Sequence, residues 1–289
     1  MGGLTTSRAA ARGQTARAGG FGFSRPASRI LKQIVPPILV VAALILLWYV
    51  SVSALKVPFY IFPTPLQVWR AFVARGWAYL PDVWTTMQEV LAGFALGVLI
   101  GVPLAVLMSW SRAFQRGVYP VLIGSQMVPL FAIAAVITVA FAQDGLLPQI
   151  VIAALFSFFP IVVTTTDGLS RVDPDLINLL RAAGASGWRI LRTIRAPSAL
   201  PAFFSGCKLA VTFAVGGAAI GEWIGGQSGL GYLMRFQNDS LLVPDMFATV
   251  VVLTLLGVTL FFAVGIVERI AVPWHRDDDS GLGNLWRAR

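Results

Sequence analysis

The sequence predicts an all-α membrane protein with six transmembrane helices, a periplasmic interfacial helix and short cytoplasmic helices between two spans. Hydrophobic residues make up 57% of the 289 residues and charged residues only 12%, whereas about a quarter of a soluble domain is charged. The apolar residues form windows of about 20 residues, the length of helix that crosses about 30 Å of hydrocarbon. No hydrophilic stretch could form a separate soluble domain, so we expect one membrane domain over residues 34–272.

Five of the apolar windows are uncharged, and a sixth contains two charged residues. The five uncharged windows are residues 34–54, 90–111, 117–143, 145–166 and 246–267. The sixth, residues 198–224, contains Lys208 and Glu222. Charged side chains near the ends of a span can reach the membrane surface or face the protein interior, so this window is also predicted to cross the membrane.

The distribution of Lys and Arg predicts the orientation. Seventeen of the 22 basic residues lie in segments on the same side as the N terminus, and only Lys56, Arg70, Arg75 and Arg235 lie in opposite segments. Both termini are therefore predicted to be cytoplasmic in a multi-pass protein of a bacterial inner membrane. Residues 1–33 contain no acid and read as a disordered basic tail, with an organellar transit peptide as the alternative. Residues 273–289 form a second cytoplasmic tail.

The charge and the scarce Cys and His exclude several kinds of site. The formal net charge is +9, but the basic residues lie between apolar windows and in the N-terminal tail, which argues against nucleic-acid binding. Cys207 is the only cysteine, so an internal disulfide is impossible. His275, the only histidine, lies beyond the last window and leaves no His cluster for a metal. We predict no metal and no cofactor bound by this chain.

The connection after the first span predicts an amphipathic helix on the outer membrane surface. Thr64 suits the N-cap of a helix and Pro65 its first position. Apolar side chains then recur at helical spacing, namely Leu66, Trp69, Phe72, Val73 and Trp77. We favour an interfacial helix over a plain structured loop.

The cytoplasmic connection over residues 173–197 predicts two short helices around a glycine. Asp173 can cap the first helix, with Pro174 at its first position, and Gly184 suits the position just past its end. Arg181 lies in its last turn. Its apolar face consists of Leu176, Leu179, Leu180 and Ala183.

Ser186 can cap the second helix, and Pro197 is predicted to end it. Trp188, Leu191 and Ile194 line one side, and Arg189, Arg192 and Arg195 lie close by. Trp and Arg dominate the hot spots of protein interfaces, so we interpret residues 173–197 as a docking element. The alternative is a basic loop that only enforces the topology, but that role requires charge and not two capped helices.

Two further patterns lie inside the predicted spans. Glycines recur every four residues at Gly93, Gly97 and Gly101 and again at Gly217, Gly221 and Gly225, which predicts close helix packing within the chain. Glu89 and Glu222 lie near the outer ends of two spans and should face a cavity or the protein interior. A role in a substrate path and a packing role are both open for these two residues.

The chain lacks a phosphate-binding loop, because none of Lys32, Lys56 and Lys208 follows a glycine. It also lacks a chain of buried acids and histidines for a proton relay. A transport path whose energy comes from a separate ATPase fits these absences, and a self-sufficient channel or secondary transporter and a membrane enzyme are the alternatives.

The docking element resembles the coupling segment of binding-protein-dependent ABC permeases, Glu-Ala-Ala-x3-Gly-x9-Ile-x-Leu-Pro. Gly184, Ile194 and Pro197 stand at the Gly, Ile and Pro of that pattern. The chain departs from it where residues 178–180, Asn-Leu-Leu, replace Glu-Ala-Ala, and where Ala196 replaces Leu.

Other motifs are similar to the nitrate/sulfonate/taurine-type permeases, and some to the branch for thiamine-pyrimidine precursors and riboflavin. They are Ile-Phe-Pro-Thr-Pro at 61–65, Gly-Phe-Ala-Leu-Gly at 93–97, Phe-Phe-Pro-Ile-Val at 158–162, Gly-Glu-Trp at 221–223 and Gly-Leu-Gly-Tyr-Leu at 229–233. The resemblance implies a pore formed by two copies of the chain, with two cytoplasmic ATPases that bind the ATP and an outer substrate-binding protein. It implies import of a vitamin precursor, a riboflavin-like vitamin or a small organic anion such as a sulfonate.

The resemblance also implies roles for particular residues. The coupling helices that contact the ATPase would use Asp173, Arg181, Gly184, Ser186, Trp188, Arg189, Arg192, Ile194 and Pro197. The candidates that line the translocation path are Met127, Pro129, Phe158, Phe159 and Glu222.

Overall fold

The computed structural model describes residues 26–141 and 145–274, with side chains from Val35 onwards. All regular secondary structure in the described residues is helical, with no β-strand among them, which confirms the predicted all-α fold. The helices are α1 (Pro26–Ala54), α2 (Pro65–Arg75), α3 (Leu80–Trp110), α4 (Arg112–Ser125), α5 (Leu130–Ala140), α6 (Leu147–Ser170), α7 (Pro174–Ala182), α8 (Gly187–Ile190), α9 (Ala196–Gly225), α10 (Leu230–Asp239) and α11 (Val243–Ala271). Both predicted tails lie largely outside the described residues.

Five of the described helical segments are long and apolar enough to cross a membrane, and the bent pair α4–α5 makes a sixth. This agrees with the six predicted spans. The third window is not one continuous helix, because α4 and α5 meet at an angle of 87°. Pro129 explains the break, since it lacks the N–H that would bond to Ser125 and disfavours helical backbone at Val128.

Backbone contacts divide the chain into Met1–Ser51 and Val52–Arg289. The first unit contains most of α1, which has two prolines inside it, Pro36 and Pro37. All packing described below lies within the second unit.

The second unit is built around α3, α6 and α9. A Cβ placed on Gly93 would lie 2.5 Å from the Ala153 Cβ, and one on Gly101 would lie 3.0 Å from Ile161. Residue numbers rise together along both helices, so α3 and α6 run parallel. The glycine repeat in α3 is therefore a close contact within the chain, as predicted.

The glycine repeat in α9 packs on a neighbouring face of α6, and Ala153 contacts both glycine repeats. Cβ atoms on Gly217 and Gly221 would lie 3.0 Å from Ala153 and 3.2 Å from Gln149. In these contacts the residue numbers rise along α9 as they fall along α6, so the two helices are antiparallel. Small residues on both sides let the backbones approach, and van der Waals packing then stabilises the pair.

We expect Gly93→Ala to destabilise the folded protein by about 1–3 kcal/mol, the usual cost of overpacking a filled core. Its Cβ would lie 2.5 Å from Ala153 and 2.8 Å from the Ile150 carbonyl oxygen, so backbone must move. Gly216→Ala is the matched control, because a Cβ there meets nothing within 4 Å. Thermal unfolding in detergent measures both variants, and equal midpoints would contradict the packing argument.

Two surface helices complete the second unit. In α2, Thr64 accepts a hydrogen bond from the Gln67 N–H at 3.3 Å, and the Gln67 side chain accepts one from the Thr64 N–H at 2.8 Å. This reciprocal capping confirms the predicted helix start and adds a feature that the prediction lacked. The position of α2 on the outer membrane surface stays a prediction. Helix α10 was not predicted, because its ten residues show no long apolar window.

Candidate functional site

The first helix of the docking element begins and ends where the sequence predicts. The Asp173 carboxylate accepts a hydrogen bond from the Asp175 N–H at 2.9 Å and caps α7. Gly184 has φ +81°, and its N–H donates to the Arg181 carbonyl at 3.0 Å, while the Ala185 N–H reaches back to Leu180 at 2.9 Å. This pair of bonds defines a Schellman turn, which requires left-handed backbone that glycine adopts without strain.

The second helix differs from the prediction at its end. Ser186 caps α8 as expected, with its hydroxyl accepting from the Arg189 N–H at 3.3 Å. The chain then passes through a π-helical turn, Leu191–Arg195, directly into α9. The prediction that Pro197 ends the helix is wrong, because Pro197 lies in the first turn of α9. The wider π turn accommodates the proline ring and the missing N–H, so the helix continues.

Three contacts hold the docking element against the bundle. Ile190 is buried, with 3% of its surface exposed, and Leu191 packs with Leu169 and Ala199. The Arg195 guanidinium donates to the Ser109 carbonyl at the end of α3, at 3.3 Å. These contacts join the docking element to α3, α6 and α9.

The opposite face of the element is apolar and exposed. Trp188 is 61% exposed and Leu179 is 66% exposed, although Trp188 also lies 6.3 Å from Trp110 by ring centroids. Three exposed arginines surround this face, Arg181, Arg189 and Arg192. They make no ion pair within the described part of the chain, so the face suits a partner surface with apolar pockets and carboxylates.

The structure places the five path candidates in three locations. Met127 and Pro129 lie at the exposed break between α4 and α5. Phe158 and Phe159 of α6 are half-buried against the cluster that includes Met108. Their role in the path stays a prediction.

The fifth candidate, Glu222, is fully buried on α9 and does not face an open space in this conformation. Its Oε1 accepts a hydrogen bond from the Thr86 hydroxyl at 2.6 Å, and its Oε2 accepts one from the Gly231 N–H. Glu222 thus joins α3 to the start of α10.

Two concave regions flank the end of the bundle that carries the docking element. A groove of about 690 Å³, lined by apolar side chains of α3, α6 and α9, runs beside Trp188 and Leu191. A cavity of about 1040 Å³ lies between α6, α9 and α11 and contains the Lys208–Glu268 ion pair, with 2.8 Å between Nζ and Oε2. The pairing of Lys208 with Glu268 was not predicted from the sequence. The sequence signal that could have revealed the pair is the opposite charge of Glu268, which lies near the end of another span, α11.

These features define an intramembrane helical bundle with a rigidly attached docking element, which is the construction of a transport subunit that works with partner proteins. Residues 94–276 match the family described as "Binding-protein-dependent transport system inner membrane component". The chain belongs to this family of ABC transporter permeases. It is therefore a transport subunit and not an enzyme, and its family works with an ATPase and a substrate-binding protein.

Curated relatives extend the match over most of the chain. The formylaminopyrimidine transport permease protein ThiX of Halalkalibacterium halodurans is 33% identical over 245 residues, which cover 84% of this chain and 97% of that protein. The riboflavin transport system permease protein RibX of Chloroflexus aurantiacus is 30% identical, with coverage of 80% and 87%. The resemblance drawn from the motifs is confirmed, including the branch.

A solved structure shares the fold. The chain is similar to a chain of the inward-facing MetNI methionine ABC transporter, with a TM-score of 0.58 and 24% identity. The match covers 67% of this chain and 96% of the other. This likeness concerns the arrangement of helices alone.

Proposed function

We propose that this permease imports a heterocyclic vitamin or vitamin precursor of the formylaminopyrimidine or riboflavin kind, driven by an ATPase that docks on residues 173–197. The observation that carries the docking proposal is the exposed apolar face of α7 and α8, in which Trp188 lies among three arginines that form no ion pair with another described residue. An element held to α3 and α9 by buried contacts can transmit force. Its outward face combines exposed apolar side chains with arginines, the composition of a protein interface.

In this proposal the docking element and both termini are cytoplasmic. The positive-inside distribution of Lys and Arg supports that orientation in the inner membrane. The ATPase dimer binds the ATP, since this sequence has no phosphate-binding loop. The chain itself holds no cofactor.

Two copies of the chain form the pore, and an extracytoplasmic binding protein delivers the substrate to its outer side. Closure of the ATPase dimer pushes α7 and α8, and Arg195 and Leu191 pass the displacement to α3 and α9. The break between α4 and α5, which carries Met127 and Pro129, is the place where a path can open. Phe158 and Phe159 line the path further along.

The names of the relatives support the substrate class. Both relatives described above transport flat nitrogen heterocycles by name, whereas the putative aliphatic sulfonates permease SsuC of Bacillus subtilis is 24% identical. We therefore favour a heterocycle over a small organic anion.

Reconstituted uptake tests this proposal. With its ATPase and binding protein in liposomes, the permease should accumulate labelled formylaminopyrimidine or riboflavin only when ATP is supplied to the ATPase side. Excess unlabelled aliphatic sulfonate should not compete. Uptake by the permease alone would contradict the ATP-driven mechanism, and competition by sulfonate would contradict the substrate class.

A further inference from the structure

The cavity of about 1040 Å³ between α6, α9 and α11 is lined by both basic and apolar side chains. The basic residues are Arg171, Lys208 and Arg269, and the apolar residues include Phe261, Phe262 and Ile266. These three apolar side chains are exposed, by 38% to 64% of their surface, and an exposed apolar surface marks contact with lipid or with a partner. Neither Trp188 nor Leu179 of the docking face lines the cavity, so the cavity is a separate site.

The contacts between α9 and α11 order these residues along the bundle. Lys208 pairs with Glu268, and a Cβ on Gly257 would lie 3.9 Å from Val215, so residue numbers rise along α9 as they fall along α11. The two phenylalanines lie between these levels, deeper in the span than the ion pair. Arg171 directly follows the last residue of α6, at the end of the bundle where α9 begins and α11 ends. The cavity therefore runs from an apolar part inside the span to a basic part at its end.

Two of the three basic residues have no acidic partner among the described residues. Lys208 is paired with Glu268 at 2.8 Å. Arg171 and Arg269 are exposed and form no ion pair with another described residue. Asp167 lies four residues before Arg171 on α6 but does not line the cavity. Three positive charges and one negative charge line the cavity, which leaves it with a net charge of +2 beside an apolar surface.

An anionic phospholipid has two features that match this lining. Its phosphate diester is an anion of the kind that Arg binds through paired N–H donors, and its acyl chains are apolar. Basic pockets between transmembrane helices bind headgroups of this kind. We propose that the cavity binds one anionic phospholipid of the adjacent leaflet, with its phosphate near Arg171 and Arg269 and an acyl chain against Phe261 and Phe262. The bound lipid then joins the ends of α6 and α11.

Two other occupants match only part of the lining. Asp277, Asp278 and Asp279 follow Trp274 closely in the sequence and lie outside the described residues. Their charges complement the arginines, and their attachment to α11 gives them a high effective concentration. A charged segment placed against the phenylalanines would lose hydration without compensation, however. A zwitterionic lipid complements the phenylalanines but leaves the two positive charges without a counterion. The anionic phospholipid satisfies both parts.

Native mass spectrometry of the purified full-length permease tests the proposal, with dioleoyl phosphatidylglycerol and dioleoyl phosphatidylcholine as the probes. The two lipids have the same acyl chains and differ in the charge of the headgroup. Each arginine near the membrane surface should favour the anionic lipid by about fivefold, so the wild type should bind phosphatidylglycerol about 30-fold more tightly.

The double variant Arg171→Gln/Arg269→Gln should lose this preference. Arg112→Gln/Arg116→Gln is the matched control and should retain it. Arg112 and Arg116 are exposed arginines of α4 that do not line the cavity and form no ion pair with another described residue.

Glu268→Gln should change the affinity in the opposite direction. The substitution leaves Lys208 as a third positive charge without a partner. Binding of phosphatidylglycerol should therefore become about fivefold tighter. Damage to the fold would not produce such a gain, so an unchanged or weaker affinity in a folded variant would contradict the proposed position of the phosphate.

Three further results would overturn the proposal. Equal binding of the two lipids by the wild type, or equal loss of the preference in both double variants, would show that the cavity arginines do not select the lipid. Competition by sn-glycerol 3-phosphate, which carries the phosphate without acyl chains, would identify a site for soluble phosphates. If phosphatidylglycerol binds only after Asp277→Asn/Asp278→Asn/Asp279→Asn, the tail and not a lipid occupies the cavity.

Discussion

We expect the double variant Gly184→Pro/Trp188→Ala to lose its ATPase on co-purification while the permease still inserts into the membrane. Gly184 has φ +81°, which the proline ring cannot adopt, and proline also lacks the N–H that bonds to Arg181 at 3.0 Å. Trp188 is 61% exposed at the centre of the docking face. Truncation of a central aromatic hot spot costs about 2 kcal/mol or more, which corresponds to binding at least about 30-fold weaker.

The chain offers a matched control at another turn. Gly76 also has a positive φ, +48°, and the neighbouring Trp77 is 84% exposed. Gly76→Pro/Trp77→Ala therefore makes the same two types of substitution at another helix end with a positive-φ glycine, away from residues 173–197, and should retain the ATPase. Stoichiometric ATPase on the first variant, or equal loss from both variants, would refute docking on this element.

A further comparison separates docking from packing at Trp188, whose ring lies 6.3 Å from that of Trp110. Trp110→Ala removes the same aromatic contact but leaves the Trp188 surface in place. If Trp188 binds the ATPase directly, Trp188→Ala should weaken co-purification more than Trp110→Ala does.

Local features of the fold could be predicted from the sequence because their causes are local. Thr64, Asp173 and Ser186 each cap a helix through a side chain that bonds to a backbone N–H two or three residues away. The turn at Gly184 likewise depends on backbone bonds within six residues. Spacing along the chain is enough to identify such features.

Features that depend on the register between helices could not be predicted in this way. Thr86 and Glu222 are 136 positions apart, and their hydrogen bond follows from the levels at which α3 and α9 meet α6, set by Gly93 and Gly217 against Ala153. The Lys208–Glu268 pair depends on the register of α9 and α11 in the same manner. The sequence predicted that Glu222 faces a cavity or the protein interior and left Lys208 either at the membrane surface or in the interior, and neither expectation identifies a partner.

The error at Pro197 has a different physical origin. A proline usually disfavours helix in the preceding residues, so a helix end was the reasonable expectation. The π turn Leu191–Arg195 absorbs the proline and keeps the backbone helical from Gly187 to Gly225. Helix α8 of the docking element is thus continuous with the span α9. A displacement of α8 can therefore move α9 more directly than a displacement of two isolated helices could.

We expect Glu222→Ala to destabilise the folded permease by about 2–4 kcal/mol. The substitution leaves the Gly231 N–H without its acceptor and removes the nearer of the two acceptors of the Thr86 hydroxyl, which retains the Asp82 carbonyl at 3.1 Å. It also opens a cavity at a fully buried position. For a protein of this size the thermal midpoint in detergent should fall by on the order of 5–10 °C.

Asp239→Ala is the control, because Asp239 is an exposed acid on α10 with no ion pair in the described residues. Its midpoint should change by less than about 2 °C. An equal fall in both variants would mean that loss of an acid from this region, and not the loss of the Glu222 bonds, causes the change. A fall of the midpoint confined to Glu222→Ala would show that Glu222 holds α10 against α3. A loss of transport in that variant would then follow from the displacement of α10 and would not require contact between Glu222 and the substrate.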